Sequence, residues 1–210
     1  MNAQNIMEDV IRQEESAGRK PSLLLHCCCA PCSSSVMEQL SAHFHITAFY
    51  YNPNISPQEE YEKRISELDG LLKRAPFAEG ISLLAGPYDP DTFRQAARGL
   101  ETLPEGGERC FRCYELRLRM TAAAAAERGF DYFTTTLSVS PLKKAEKLNE
   151  TGLRLAVEYK VPYLVSDFKK KDGYLRSITL SKEYGLYRQD YCGCIYSRQE
   201  RDRRKSGSAE

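Results

Sequence analysis

Eight cysteines stand in three groups that lie far apart along a chain of 210 residues. The groups are Cys27, Cys28, Cys29 and Cys32, then Cys110 and Cys113, then Cys192 and Cys194. The first 20 residues lack an apolar core, so we expect no secretory signal and a cytoplasmic protein. In a reducing cytosol disulfides are disfavoured, and clustered thiols more often bind metal or carry out redox chemistry.

The spacing of the thiols favours an iron–sulfur centre. A structural zinc site usually shows two C-x-x-C pairs at finger-like spacing, whereas tens of residues separate these groups. Iron–sulfur clusters accept four cysteines from irregular spacings. A zinc site and a thiol–disulfide couple at Cys110 and Cys113 remain alternatives. Cys27 is interpreted as a buried structural thiol, and His26 as a structural residue rather than a ligand.

Four polar, turn-rich segments follow predicted β-strands. They occupy residues 27–32, 51–54, 135–141 and 166–173. In parallel sheets, ligands bind outside the carboxyl ends of the strands, so we expect the four segments to gather at one edge of the sheet.

Polar side chains in and beside these segments are candidates for contacting a substrate. The candidates are Asn52, Asn54, Tyr61, Arg64, Thr135, Ser138, Lys143, Lys169, Lys170 and Arg176. Amides can read a base or ribose, hydroxyls and a lysine at a helix entry suit a phosphate, and basic residues interleaved with aromatics suit RNA. An Asx turn, helix capping and a solvated charge run are the structural alternatives. The candidate proton donors are Asp167, Asp190 and Tyr191.

Short apolar, β-rich runs alternate with helical patterns along most of the chain. Strands are predicted over 22–26, 45–51, 81–85, 131–136 and 161–166, and helices over 31–42, 57–74, 91–98, 110–128 and 142–159. The alternation predicts a doubly wound α/β fold with a mostly parallel sheet of about five strands. We expect an N-terminal helix in 1–20, one catalytic domain over 21–197, and a polar, disordered tail over 198–210.

Several longer motifs resemble those of one known family. "HCCCAPC", "YNPNISPQEEYEKR", "RCFRCYELRL", "TTTLSVSPLKK" and "DYCGCIYS" are similar to the motifs of the QueH-type epoxyqueuosine reductases, in the same order between residues 23 and 197. The resemblance implies a Rossmann-like domain of the HUP type. It also implies an oxidoreductase that converts epoxyqueuosine to queuosine at the wobble position of tRNAs with GUN anticodons, the last step of queuosine biosynthesis.

Reduction of an epoxide takes two electrons and two protons, so such an enzyme needs a redox centre and an external electron donor. The number of thiols fits that demand, because four cysteines complete one cluster and three or four remain. We expect Cys28, Cys29, Cys110 and Cys113 to hold a [4Fe–4S] cluster. We expect Cys32, Cys192 and Cys194 either to bind a second, adjacent metal, namely iron, or to cap the site.

Two other functions remain open at this point. A tRNA-thiolating enzyme would need a glycine-rich phosphate loop such as S-G-G-x-D-S after the first strand, where this chain has "CCCAPCSSS". A non-catalytic zinc protein that binds RNA would be colourless. The formal net charge is only +1, so any RNA contact must come from local basic patches. No apolar run reaches the roughly 20 residues that span a bilayer, and no heptad pattern indicates an oligomeric state.

Overall fold

A parallel sheet of four strands forms the centre of the chain, as seen in a computed structural model that describes residues 2–206. The strands are β1 (Ser22–His26), β2 (His45–Tyr50), β3 (Ser82–Ala85) and β4 (Tyr132–Thr135). Their order is β3-β2-β1-β4, and every pairing is parallel. The predicted α/β class with a parallel sheet is therefore confirmed.

Helices cover both faces of the sheet. They are α1 (Ala3–Ser16), α2 (Ala30–Leu40), α3 (Gln58–Arg74), α4 (Pro90–Ala97), α5 (Glu108–Arg128), α6 (Ala145–Tyr159), α7 (Gly173–Glu183) and α8 (Ile195–Ser206). Two short 3₁₀ helices, Pro76–Ala78 and Thr136–Val139, complete the connections. Helix α5 contains an alanine-rich run and ends at Gly129, whose φ of 70° suits a left-handed C-cap.

Two apolar layers hold the sheet between the helices. Successive side chains of a strand point to opposite faces, so Leu23 and Leu25 of β1 enter one layer and Leu24 enters the other. The first layer contains apolar residues of α1, α2 and α3, and the second contains those of α5 and α6. β1 is therefore buried on both faces, and the turn that contains Cys27, Cys28 and Cys29 follows it directly.

The predicted fifth strand is reduced to one isolated bridge between Phe133 and Tyr163. The reason is visible at Ser166, whose backbone N–H donates to Oδ1 of Asn149 and whose carbonyl accepts from Nδ2 of the same side chain. The side chain of Asn149 in α6 thus takes the hydrogen bonds that the backbone of Ser166 would otherwise form with a neighbouring strand. Helix α6 also begins at Ala145, three residues after its predicted start, and α7 was not predicted.

Residues 198–206, which we expected to be a disordered tail, continue helix α8. Residues 207–210 of the predicted tail lie outside the described residues. The helix is anchored by packing between the rings of Tyr196 and Phe93 and by an ion pair between Glu200 and Arg109. Across residues 2–206, the helices are too short or too polar to cross a bilayer.

Candidate metal centre

Three thiols meet at the turn between β1 and α2. The Sγ atoms of Cys28, Cys29 and Cys32 all lie within 4.8 Å of one another. No other group of three or more His, Cys, Asp or Glu side chains within residues 2–206 meets this criterion. Cys29 is the N-cap of α2, where the positive end of the helix dipole favours a thiolate. The pKa of Cys29 is held well below its ordinary value, mainly by hydrogen bonding with Cys28 and next by hydrogen bonding with Cys32.

The other two cysteine groups converge on the same region. Cys110 and Cys113 lie in the first turns of α5, and Cys113 packs in a buried cluster with Cys194. Cys113 is also close enough to Cys192 to interact with it electrostatically. Cys192 in turn lines the same cavity as Cys28 and Cys32.

N–H donors reach the sulfur atoms of four cysteines. The donors are Nε2 of Gln189 to Cys29 (3.1 Å), Nζ of Lys143 to Cys192 (3.1 Å), the Gly106 amide to Cys110 (3.3 Å) and the Ser197 amide to Cys194 (3.4 Å). Such hydrogen bonds stabilise thiolates and tune the metals that thiolates bind. The donor set therefore fits a soft, thiolate-ligated metal centre of the iron–sulfur or zinc type.

The structure groups the thiols differently from the division expected from the sequence. Cys32 lies with Cys28 and Cys29, whereas we expected it beside Cys192 and Cys194. The reason is local, because Cys29 and Cys32 are separated by one turn at the start of α2, and that turn presents both sulfurs to the same side.

Cys27 and His26 have structural partners. Sγ of Cys27 donates to the carbonyl of Leu25 at 3.3 Å, the thiol is fully buried, and burial raises its pKa. The ring nitrogens of His26 contact Oγ1 of Thr135 at 2.8 Å and the carbonyl of Tyr51 at 3.1 Å. Both nitrogens are therefore occupied, and the interpretation of these two residues as structural agrees with the geometry.

A cavity of about 760 Å³ opens beside the thiols. Its lining includes buried cations, with Arg64 and Arg117 each 2% exposed and Lys143 7% exposed. It also includes Arg204 and Lys205 of α8, whose side chains are 79% and 66% exposed. The cavity thus runs from the buried thiols to the surface at α8, and its volume suits a ligand of nucleoside size.

Two of the predicted substrate residues line this cavity. Arg64 on α3 donates from Nε to Glu60 at 2.7 Å and from Nη1 to the carbonyl of Cys192 at 3.0 Å. Lys143 contacts Glu105 at 3.1 Å as well as the thiol of Cys192. Both residues therefore connect the cavity wall to the cysteine segments.

Five other predicted substrate residues are buried and lie outside the cavity lining. They are Asn52, Asn54, Tyr61, Thr135 and Ser138. Nδ2 of Asn52 donates to the carbonyl of Cys27 at 2.9 Å, and Ser138 contacts Ser166 at 3.2 Å. Tyr61 stacks on Tyr88 with ring centroids 4.1 Å apart. These contacts lie within the fold, and a role of the five side chains in binding substrate stays a prediction.

The charged side chains of the predicted basic run are paired or exposed, whereas Tyr174 and Ser177 of the same segment line the cavity. Lys169 pairs with Asp167 at 2.5 Å, Lys170 is exposed, and Nε of Arg176 donates to Glu38 at 2.7 Å. None of these four predicted residues is among the cavity-lining side chains.

The other two candidate proton donors, Asp190 and Tyr191, line the cavity but differ in protonation. Asp190 accepts hydrogen bonds from Lys205 and Arg201, each at 2.6 Å, and these bonds lower its pKa to about 2. At neutral pH Asp190 is therefore a carboxylate with no proton to give. The ring of Tyr191 is contacted by the guanidinium groups of Arg64 and Arg201, at 5.3 and 4.7 Å from its centroid. Its hydroxyl donates to the carbonyl of Ser56 at 3.5 Å, and burial raises its pKa.

Sequence reasoning missed Arg117 and Gln189, and it gave the basic side chains of α8 little weight. Arg117 lies one helical turn after Cys113, and Nε donates to the carbonyl of Cys113 at 3.3 Å. Helical spacing from a candidate ligand could have identified it. The basic residues of α8 were given little weight because that segment was interpreted as a tail.

Comparison with known proteins identifies the family. The family model of epoxyqueuosine reductase QueH matches residues 23–200. The chain belongs to the QueH family. A relative of that name from Streptococcus pyogenes serotype M1 is 39% identical over 94% of this chain and 78% of its own length. The QueH of Staphylococcus epidermidis is 40% identical over 94% of this chain and 84% of its own length. The QueH of Thermotoga maritima is 36% identical over 86% of this chain and 92% of its own length. The resemblance seen in the motifs is confirmed.

Proposed function

We propose that the chain is an epoxyqueuosine reductase that forms queuosine in tRNA with an iron–sulfur centre and an external electron donor. The observation that carries the proposal is the cluster of Cys28, Cys29 and Cys32 beside a nucleoside-sized cavity, in a chain of the QueH family. We assign these three thiols to a [4Fe–4S] cluster. The remaining ligands, and those of a second iron, come from Cys110, Cys113, Cys192 and Cys194.

The reaction balances as one epoxide, two electrons and two protons giving one alkene and one water. Both C–O bonds of the epoxide break, and the former epoxide carbons become the double bond of the cyclopentene. An iron–sulfur centre, when bound, supplies the electrons one at a time from the external donor. The side chains must bind the nucleoside, exclude water and deliver protons.

Tyr191 is the residue we assign to proton delivery. It lines the cavity, and its raised pKa keeps the phenol protonated at neutral pH. Asp190 is ionised beside Arg201 and Lys205, and Asp167 lies outside the cavity lining. Of the three residues predicted from the sequence, Tyr191 alone therefore combines position with an available proton.

The exposed end of the cavity supports binding of a tRNA backbone. Arg188 and the α8 residues Arg201, Arg204 and Lys205 line it, with Tyr174 nearby to stack on a base. The concentration of cations at this end provides the local basic patch that a chain of low net charge needs.

Anaerobic reconstitution followed by turnover tests the proposal. Iron, sulfide and zinc are measured first, and the protein is then incubated with epoxyqueuosine-containing tRNA and dithionite. We expect a brown protein with broad absorption near 400 nm and queuosine among the nucleosides after digestion. An intact iron centre that yields no queuosine would refute the assignment. A colourless protein with about one zinc per chain would favour the zinc protein that binds RNA.

A further inference from the structure

Arg117 is a buried cation without a carboxylate partner. Its side chain is 2% exposed, and no Asp or Glu of residues 2–206 forms an ion pair with it. The other buried cations of this region differ, because Arg64 pairs with Glu60 at 2.7 Å and Lys143 with Glu105 at 3.1 Å. A buried charge that lacks a counter-charge is costly, so the surroundings of Arg117 must contain a negative charge of another kind.

The guanidinium of Arg117 is held in one orientation and keeps one nitrogen unused. Nε donates to the carbonyl of Cys113 at 3.3 Å, and Nη1 donates to Oδ1 of Asn52 at 3.5 Å. Asn52 is itself fixed by its hydrogen bond to the carbonyl of Cys27. Nη2 is buried and has no hydrogen-bond partner, and Arg117 lines the cavity.

Sulfur atoms are the groups near Arg117 that can supply the missing negative charge. The thiols of Cys113, Cys192 and Cys28 interact with it electrostatically, and these come from all three cysteine groups. His26, another neighbour, is buried, and both of its ring nitrogens contact oxygen atoms, of Thr135 and of the Tyr51 carbonyl.

We propose that Arg117 is the counter-ion of the metal–thiolate centre and raises its reduction potential. This inference rests on the iron–sulfur assignment made under the proposed function. Reduction adds negative charge to the centre, and a fixed positive charge at short range in a buried site favours the reduced form. Arg117 offers its positive charge and the unused N–H groups of Nη2 to the sulfur atoms. It affects the reaction through the metal centre and is therefore a positioning residue.

Redox titration of the reconstituted protein tests this role. Arg117→Gln removes the charge and keeps much of the side-chain volume, whereas Arg117→Lys keeps the charge and loses the planar fork. Arg119→Gln is the matched control, because Arg119 lies on the same helix but is 37% exposed and pairs with Glu115. The midpoint potential is measured by spectroscopic titration under anaerobic conditions, together with iron content and the kinetics with tRNA.

We expect Arg117→Gln to shift the midpoint to a more negative value, Arg117→Lys to lie between it and the wild type, and Arg119→Gln to match the wild type. With a weak reductant kcat should fall in Arg117→Gln while KM for tRNA stays within twofold. If Arg117→Gln assembles too little iron to titrate, full iron binding by Arg117→Lys supports the role of the charge. Equal iron loss in both variants would overturn it.

The two proposals fail separately. Equal midpoints in the wild type and both Arg117 variants would overturn the counter-ion role even if queuosine is formed. A shifted midpoint in a protein that never forms queuosine would refute the reductase assignment and support the counter-ion role.

Discussion

Replacement of Gly193 by alanine should disturb the metal centre and the fold together. Gly193 separates Cys192 from Cys194 and has a φ of +116°, a conformation that residues with a Cβ rarely adopt. A Cβ at this position would lie 2.9 Å from Nη1 of Arg64 and 3.0 Å from Cγ1 of Ile55. Arg64 cannot move away cheaply, because its bonds to Glu60 and to the carbonyl of Cys192 hold it in place.

The expected cost has two parts. Backbone strain contributes about 1–3 kcal/mol, and insertion of a methyl group into a packed site contributes a further 1–3 kcal/mol or so. We expect Gly193→Ala to lower the free energy of unfolding by about 3 kcal/mol, which is roughly 6–12 °C in Tm for a chain of this size. Gly185→Ala is the matched control, because Gly185 has a φ of +61° and a Cβ added there would have no atom within 4 Å. It should cost about 1 kcal/mol.

Thermal unfolding of the metal-free proteins measures the backbone and packing cost, and iron analysis after reconstitution measures the effect on the centre. Gly193→Ala should also lose iron, because the displaced backbone carries both neighbouring thiols. Gly185→Ala should bind as much iron as the wild type. Equal Tm values and equal iron contents in the two variants would refute the close packing of Arg64 against the C-G-C segment.

Three further predictions address the thiols, the substrate and the pH dependence. Cys27→Ala should retain the iron content of the wild type and Cys32→Ala should lose most of it; iron loss from both alike would contradict the structural role of Cys27. Arg201→Gln combined with Lys205→Gln should raise KM for tRNA several-fold and flatten its salt dependence. The matched double variant with Lys169→Gln and Lys170→Gln should leave KM for tRNA and its salt dependence unchanged. If instead this variant raises KM and the α8 variant does not, tRNA binds at the basic run predicted from the sequence. The buried His26, with a pKa of about 4, binds a proton less readily in the folded than in the unfolded state, so stability should fall as the pH drops below about 6.5. Urea unfolding should give roughly 2 kcal/mol less stability at pH 5 than at pH 7 from this group, and His26→Gln should remove that part of the difference; an unchanged pH dependence would show that His26 is not the cause.

Strands and helices with strong local patterns were predicted close to their observed bounds. The apolar run of β1, the alanine-rich α5 and its end at Gly129 follow from side-chain and backbone preferences of nearby residues. The edge strand was overpredicted because the side chain of Asn149 takes the hydrogen bonds of Ser166, a partner 17 residues away. Local patterns contain no information about such a partner.

The eight cysteines, four of which directly follow β1, predicted without any structure a thiolate-ligated metal centre or a redox couple. Their motifs also determined the family. Only the tertiary structure decided which thiols lie together, which cations face them and which end of the cavity is basic. Those features depend on contacts between segments more than 100 residues apart, such as Arg64 with Cys192 and Gln189 with Cys29. Packing of helices on the sheet brings these segments together, and spacing along the chain does not specify the result.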